Sequence, residues 1–334
     1  MLTMFHKPYN MLMFSMLLFG IAVSLSAENW LTIWMGLEIN LYCFLPMILS
    51  NSKNQEKEAA AKYFITQAIA SAMIMFAFLE HTSITSYTSS LMFMGLIIKI
   101  GVAPGHFWLP SVMNAISWWL CWVLSSIQKL APMMMIMCVA SFSPLMSAFC
   151  AGASSIVGGI LGLNQTLFRV LLAYSSIGHM GWVLAASMVN KQISMFYFIC
   201  YLLIITSLFF FMDYLKSSSG NFMKMTETSS IFLVSFSFMF ISLSGLPPFL
   251  GFFPKLMTLK VLMEAKLLVL MIFMVIGSVM NMYYYLKMIF IMMTATHYPI
   301  FTNGSLRPLS TLLNSLLTSM SIISSILLLN LFTS

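Results

Sequence analysis

Residues 99–110 read Lys99-Ile-Gly-Val-Ala-Pro-Gly-His-Phe-Trp-Leu-Pro110, an apolar stretch in which glycine and proline interrupt the pattern of a helix. Residues 244–255 read Ser244-Gly-Leu-Pro-Pro-Phe-Leu-Gly-Phe-Phe-Pro-Lys255. Both stretches have the spacing Gly-x2-Pro-x5-Pro, which pairs Gly101, Pro104 and Pro110 with Gly245, Pro248 and Pro254. One interpretation is that glycine and proline are simply common in membrane helices. The other is that two interrupted helices occupy matching places in an internal repeat, the arrangement typical of a transport site.

The composition places both stretches in a membrane protein. Of the 334 residues, 60% are hydrophobic and 7% are charged, whereas roughly 25% are charged in an ordinary soluble domain. A soluble globule could not cover so much apolar surface with polar groups, and disordered chains are poor in apolar residues. The net charge of +7 does not indicate a nucleic-acid partner, because the lysines are scattered singly rather than clustered. We therefore predict an all-α, polytopic membrane protein.

A helix needs about 20 mostly apolar residues to cross a bilayer. About eleven segments meet this requirement, at 11–27, 30–49, 59–79, 86–103, 117–140, 145–164, 167–188, 193–214, 229–250, 265–293 and 309–332. The clearest polar connectors are Asn51–Lys57, Leu215–Glu227 and Thr294–Pro308, and Glu28-Asn29 requires a tight hairpin. A signal peptide is an alternative interpretation of the N-terminus. However, a second apolar stretch follows almost at once, so we expect Met1 to be retained.

The interrupted stretches fall in the fourth and ninth predicted spans, each the fourth span of a block of five. We therefore predict one membrane domain with a first five-helix half (1–140), a second five-helix half (141–293) and a C-terminal helix (294–334). Because each half has an odd number of spans, the second half is expected to be inverted relative to the first.

The charges of the loops predict the orientation, because basic residues favour the cytoplasmic or matrix side. One face collects seven basic residues: Lys7, Lys53, Lys57, Arg169, Lys216, Lys224 and Arg307. The opposite face has Lys191, Lys260 and Lys266. We expect the N-terminus on the cytoplasmic or matrix side and the C-terminus on the opposite side.

Ionisable residues inside membrane spans are costly and are candidates for function. Those in or beside the predicted spans are Glu38, Lys99, Lys129, Lys255, His106 and His179. Burial disfavours the charged form of lysine and a nearby carboxylate favours it, so buried lysine–glutamate pairs suit proton exchange. Structural alternatives remain for each group: the lysines reach an interface by snorkelling, Glu38 locks packing by pairing with a lysine, His179 is a hydrogen-bonded core residue, and His106 caps freed carbonyls.

Other ionisable residues and the cysteines are read as structural. Glu58 and Lys62 fit a helical i,i+4 pair near an interface. The five cysteines lie in apolar runs without a CxxC pair, and we interpret them as small buried hydrophobes. The sequence has no GxGxxG motif after a strand, no P-loop, no cysteine set for an iron–sulfur cluster and no two-histidine haem helix. It therefore predicts no redox chemistry within this chain.

Seven motifs, in order from about Trp30 to Lys255, closely resemble the chain 2 family of animal mitochondrial NADH–ubiquinone oxidoreductase (complex I). They are Trp34-Met-Gly-Leu-Glu-Ile-Asn40, Lys62-Tyr-Phe-Ile-Thr-Gln-Ala68, residues 99–108, Gln128-Lys-Leu-Ala-Pro132, Gly162-Leu-Asn-Gln-Thr166, Ala173-Tyr-Ser-Ser-Ile-Gly-His-Met-Gly-Trp182 and residues 244–255. The last eighty or so residues match only in character.

The resemblance implies an antiporter-like, proton-translocating subunit of a membrane arm, related to cation/proton antiporters and, in its animal form, with eleven helices. It implies a multi-pass protein of the mitochondrial inner membrane, with the other membrane-arm subunits and lipids as partners and no nucleic acid. NADH, FMN, iron–sulfur clusters and ubiquinone would belong to partner subunits, with no cofactor bound by this chain. By motif match, Glu38 is the key glutamate, Lys99 its partner lysine, Lys129 the central lysine, Lys255 the exit-side lysine and His179 the histidine that helps link the two half-channels.

The sequence departs from the family pattern in three places. Val170 replaces a lysine that often follows the arginine at position 169, Gly105 replaces the phenylalanine before the histidine, and Ser111 replaces an acidic residue. These departures put in doubt a family-like hydrogen-bond path near the first interruption and beside Arg169. Two rival functions remain: a stand-alone monovalent cation/proton antiporter, which would tend to need carboxylates near an unwound site, and a scaffold, which would not need Glu38 and Lys129 in apolar helices.

Overall fold

The structure is a computed structural model that describes residues 8–50, 53–79, 86–140, 143–214, 230–247 and 249–295. These ranges are built from α-helices joined by short turns, with no strand among them. The helices are α1 (Pro8–Ser26), α2 (Trp30–Leu49), α3 (Asn54–Leu79), α4 (Ser86–Ile100), α5 (Trp108–Ala115), α6 (Trp118–Ser125), α7 (Ile127–Val139), α8 (Pro144–Leu163), α9 (Phe168–Val189), α10 (Lys191–Tyr214), α11 (Ser230–Ser244), α12 (Phe252–Glu264) and α13 (Leu268–Ala295).

Among the described residues, eight segments are long and apolar enough to cross a membrane, with α6 and α7 taken together as one segment. The fourth and ninth predicted spans contain α4 and α11, and after each an interruption leads to a short helix, α5 or α12. The prediction of an all-α membrane fold is therefore confirmed for the described residues. The eleventh predicted span (309–332), the connector Leu215–Glu227 and most of the connector Thr294–Pro308 lie outside them.

The third span begins earlier than predicted, at Asn54 rather than residue 59. Most of the predicted connector Asn51–Lys57 is therefore the first turn of α3. Two features stabilise this early start. Glu56 lies in the first turn, where a negative charge favours the positive end of the helix dipole. Farther along, Lys62 Nζ lies 2.6 Å from Glu58 Oε1, as expected for an i,i+4 ion pair.

The fifth span is not the continuous helix predicted over 117–140. It is divided into α6 and α7 at Ser126, whose backbone angles are φ −113° and ψ −74°.

The ninth and tenth predicted spans also omit residues 251–264, where the structure places α12. The predicted hairpin at Glu28-Asn29 is confirmed, because Asn29 has extended backbone between α1 and α2. Four of the five cysteines are buried as expected, but Cys138 is exposed.

Helix α9 is at the centre of the described fold, and 18 of its 22 residues are buried. It packs against α8, α10 and α13 and against the short helices α5, α6, α7 and α12. Two of its glycines let neighbours approach closely: a Cβ on Gly178 would lie 2.8 Å from the side-chain nitrogen of Asn281, and one on Gly181 would overlap the Ser154 hydroxyl. The short helices α5 and α12, which follow the two interruptions, thus both pack against the same buried helix, α9.

Candidate functional site

Both interruptions begin with a glycine in the left-handed conformation. Helix α4 ends at Ile100 and α5 begins at Trp108, while α11 ends at Ser244 and α12 begins at Phe252. Gly101 follows α4 with φ +79°, and Gly245 follows α11 with φ +78°. This left-handed conformation favours glycine, because a Cβ would clash with the backbone. The matched glycines thus begin two unwound segments, each followed by a short helix.

An interrupted helix leaves backbone carbonyls without their usual partners, and buried carbonyls need replacements. At the first interruption, the Trp108 indole donates to the Ile98 carbonyl at 3.0 Å, and the Gln67 amide donates to the Lys99 carbonyl at 3.3 Å. At the second interruption, Lys255 Nζ donates to the Ser244 carbonyl at 2.7 Å. The first interruption is therefore satisfied by neutral donors and the second by a cation.

Glu38 and Lys99 form an ion pair across α2 and α4. The Lys99 ammonium lies 3.9 Å from Glu38 Oε1, which is too long for a direct hydrogen bond. The Lys99 side chain is 4% exposed and that of Glu38 is 13% exposed. Lys99 is thus buried among helices rather than reaching the surface by snorkelling. Glu38 also borders a groove of about 510 Å³ between α2 and α3.

Lys99 and Lys129 line the same small cavity. Its volume is about 20 Å³, and Asn40, Gln67 and Gln128 contribute polar side chains to its wall. A cavity of roughly 10–15 Å³ is enough to hold one water molecule when polar groups surround it. Lys129 Nζ has no hydrogen bond to any described residue, nor has the side-chain amide of Asn40. The cavity is therefore large enough for one water molecule, and both lysines contribute to its wall.

His179 packs against two tyrosines of α10, one of which also faces Lys129. Its Nδ1 is 3.0 Å from the hydroxyl of Tyr197, and its ring centroid is 5.4 Å from that of Tyr201. The Tyr201 ring in turn lies below the Lys129 ammonium, with 5.7 Å between Nζ and the ring centroid. Tyr201 therefore contacts both Lys129 and His179.

Lys255 ends this series on α12. Its side chain is buried, and its ammonium lies against the carboxyl end of α11, where a positive charge is favoured by the helix dipole. The position in the first half that matches Lys255 is Ser111, whose hydroxyl donates to the Trp108 carbonyl at 2.8 Å. The two interruptions thus share the glycine conformation but differ in charge.

Five of the six predicted site residues therefore form one series across packed helices: Glu38, Lys99, Lys129, His179 and Lys255, where the helix of Lys255 packs against that of His179. His106 does not join it. The imidazole is buried in the first interruption and lies against Phe107, with ring centroids 4.1 Å apart. Among the described residues, no ion pair or hydrogen bond joins His106 to Lys99 or Lys129.

The sequence is similar to known proteins over most of its length. Residues 27–90 and 78–281 match the family described as NADH:quinone oxidoreductase/Mrp antiporter, TM. NADH-ubiquinone oxidoreductase chain 2 of Lumbricus terrestris is 37% identical over 292 residues, covering 85% of this chain and 86% of the relative. The chain 2 protein of Locusta migratoria is 35% identical and covers 86% of each. This chain belongs to the NADH-ubiquinone oxidoreductase chain 2 family.

A solved structure with low sequence identity to this chain has a similar fold. A chain in respiratory complex I from Thermus thermophilus superposes with a TM-score of 0.82 at 23% identity. The match covers 97% of this chain and 78% of that chain. At this identity the likeness concerns the fold alone.

Where the chain 2 family often has two adjacent basic residues, this chain has Arg169 followed by Val170, and the arginine alone makes the polar contacts described there. Arg169 Nη1 donates to the carbonyls of Asn114 and Ile116, at 3.1 and 2.9 Å, and its guanidinium lies 5.0 Å from the Trp118 ring centroid. These carbonyls end the short helix α5. A single arginine therefore holds this helix end in place, and the described contacts of Arg169 do not involve Val170.

Sequence reasoning missed two residues of this site, Tyr197 and Tyr201. They lie four positions apart on α10, so they share one face of the helix. Both are 1–2% exposed despite their hydroxyl groups. Two tyrosines at helical spacing in an apolar span are a signal that could have been used, because a hydroxyl buried in a membrane span requires a partner.

Gly245→Ala is expected to damage the second interruption. A Cβ at position 245 would lie 2.8 Å from Lys255 Nζ, and alanine disfavours the positive φ by roughly 1–2 kcal/mol. We expect a lower melting temperature of the assembled complex and slower proton pumping. Gly152→Ala is the matched control, because its Cβ would have ordinary contacts, the nearest at 3.5 Å. Equal stability and pumping in both variants would contradict the assigned geometry.

Proposed function

We propose that this chain is a proton-translocating subunit of the membrane arm of respiratory NADH:ubiquinone oxidoreductase. The observation that carries the proposal is the cavity shared by Lys99 and Lys129, within a buried series of ionisable groups. The reaction class is NADH oxidation with quinone reduction coupled to proton transport. This chain supplies the proton transport, whereas NADH, flavin, iron–sulfur clusters and ubiquinone are bound by partner subunits.

The geometry supports a transfer in stages. Glu38 stabilises the charged form of Lys99 across 3.9 Å, and a change in the charge or hydration of Glu38 would release that proton. A water in the shared cavity would accept the proton from Lys99 and deliver another to Lys129. The neutral form of His179 can accept a proton at one ring nitrogen and donate from the other. The proton would then continue towards Lys255, at the second interruption.

The runner-up function is a stand-alone exchange of Na⁺ or K⁺ for protons, which the family's kinship with Mrp antiporters favours. Hard metal cations prefer oxygen ligands, but the groups at both interruptions include buried lysines. No group of three histidine, cysteine, aspartate or glutamate side chains able to hold a metal ion occurs among the described residues. A scaffold role is weaker still, because it gives no reason to bury Lys129 without a hydrogen bond.

Purification of the chain from its native membrane distinguishes these functions. A complex I subunit is expected to elute in a large assembly that contains flavin and iron–sulfur clusters. Its proton pumping, driven by NADH, should be unaffected when Na⁺ is removed. A chain that elutes alone and exchanges Na⁺ or K⁺ for protons without NADH would instead be an antiporter.

We also propose that the two five-helix halves, 1–140 and 141–293, are related by inversion. The matched glycines and the two helices that resume seven residues after them support this relation. The loop charges favour the N-terminus in the matrix and the C-terminus in the intermembrane space of the mitochondrial inner membrane. The other membrane-arm subunits and lipids would cover the apolar exterior, where side chains such as Phe76 and Phe290 are more than half exposed.

The orientation is tested with two exposed lysines that the proposal places on opposite faces, Lys53 and Lys266. Each is replaced by cysteine in a Cys138→Ser background, since Cys138 is itself exposed. A membrane-impermeant thiol reagent added to the intermembrane side should label position 266 and leave position 53 unlabelled. The opposite pattern would reverse the topology.

A further inference from the structure

We propose that Tyr201 is a positioning residue for proton transfer, which holds the Lys129 side chain between the shared cavity and His179. This inference rests on the proposed function. Lys129 Nζ is buried and has no hydrogen bond to a described residue. The aromatic ring of Tyr201, 5.7 Å from Nζ, lies within the range of roughly 6 Å in which a cation is attracted to a ring face. A buried ammonium needs such compensation.

The break in the fifth span determines where the Tyr201 ring lies. In a continuous helix, the amide of Lys129 would bond to the Ser125 carbonyl, four residues earlier. Here that amide bonds instead to the Ser126 carbonyl at 3.2 Å. The Tyr201 hydroxyl donates to the Ser125 carbonyl at 3.4 Å. The break between α6 and α7 therefore frees the Ser125 carbonyl, and this carbonyl is the acceptor that anchors the Tyr201 hydroxyl.

The other side of Tyr201 contacts the histidine. Its ring centroid is 5.4 Å from that of His179, and the Ser176 hydroxyl lies beside the Tyr201 hydroxyl. Tyr197, one helical turn earlier on α10, bonds to His179 Nδ1. Tyr201 is thus in contact with both members of the next transfer step, whereas Tyr197 contacts only the histidine. The two tyrosines together fix the imidazole and the ammonium relative to α10.

Two variants separate the ring from the hydroxyl. Tyr201→Leu removes both the ring face and the anchor, and Tyr201→Phe keeps the ring but removes the hydrogen bond. In proteoliposomes containing the assembled complex, we expect NADH-driven proton pumping to fall about 10-fold in the leucine variant and about 3-fold in the phenylalanine variant. Tyr283→Phe is the control, because Tyr283 is 60% exposed on α13 and should pump normally.

The stability of the complex distinguishes positioning from a purely structural role. Pumping is compared at equal amounts of assembled complex, together with the melting temperature of each preparation. If Tyr201 is a positioning residue, the pumping rate should decrease in the order wild type, Tyr201→Phe, Tyr201→Leu. The phenylalanine variant should retain part of the pumping that the leucine variant loses. Normal pumping by the leucine variant, equal losses for both variants, or losses that follow the melting temperature would overturn it.

Lys129→Met, measured in parallel, separates this inference from the proposed function. If Lys129→Met fails to pump and Tyr201→Leu pumps normally, the proposed function stands and the role of Tyr201 is rejected. If Lys129→Met pumps normally, the series through Lys129 is rejected, and with it any role of Tyr201 that acts through that lysine.

Discussion

Lys129→Met is expected to assemble normally and to slow NADH-driven proton pumping roughly 10-fold or more, because positioned acid–base groups contribute roughly 10²–10⁴-fold to a proton transfer. Methionine is long, flexible and uncharged, so it fills a similar volume in α7 and is cheaper to bury than an ammonium. The side chain it replaces is 3% exposed and has no hydrogen bond among the described residues. Stability should therefore be retained while the proton site is lost.

Lys129→Arg distinguishes a proton carrier from a fixed positive charge. Arginine retains the charge, but its guanidinium does not release a proton in proteins. If Lys129 carries protons, the arginine variant should pump as poorly as the methionine variant. If only a positive charge beside Tyr201 and the cavity is required, Lys129→Arg should pump well. Both variants are compared by the rate of acidification of proteoliposomes, normalised to assembled complex.

Glu38→Gln is expected to impair both pumping and stability. The substitution leaves the buried Lys99 ammonium without the carboxylate 3.9 Å away. Removing one partner of a buried pair typically destabilises by roughly 3–5 kcal/mol, because the remaining charge is uncompensated. We therefore expect a lower melting temperature of the complex, unlike that of Lys129→Met, as well as slower proton pumping.

Two further variants control this experiment. Glu58→Gln also removes a carboxylate paired with a lysine, but that side chain is 67% exposed, so pumping and stability should be unchanged. Adding Lys99→Met to Glu38→Gln removes the unpaired charge and should restore the melting temperature without restoring pumping. If Glu38→Gln pumps normally, or if the double variant recovers pumping, the pair has a packing role only.

The interruptions could be predicted from the sequence because they depend on local chemistry. Glycine tolerates positive φ and proline lacks an amide donor, so the spacing of Gly101 and Gly245 relative to the prolines is enough to locate both unwound segments. Buried ionisable residues in apolar spans are similarly evident. Their spacing along the chain also fits the observed series, in which Lys99 precedes the first interruption and Lys255 follows the second.

The break at Ser126 could not be predicted in this way. Neither glycine nor proline stands at the break, and Pro132 lies farther along, inside α7. The freed Ser125 carbonyl is satisfied by Tyr201, which is 76 positions away in the sequence. Such a break depends on tertiary contacts that replace the lost helical bond. The cavity shared by Lys99 and Lys129 likewise depends on how six different helices pack, which spacing along one chain does not specify.

The number of protons translocated per NADH oxidised is the most direct test of the proposed pathway. It should be measured in proteoliposomes for the assembled complex with Lys129→Met, beside wild type and Glu58→Gln. If protons pass through this chain by way of Lys129, the ratio should fall in the methionine variant and remain at the wild-type value in the control. An assembled Lys129→Met complex with the wild-type ratio and the wild-type rate would contradict the pathway.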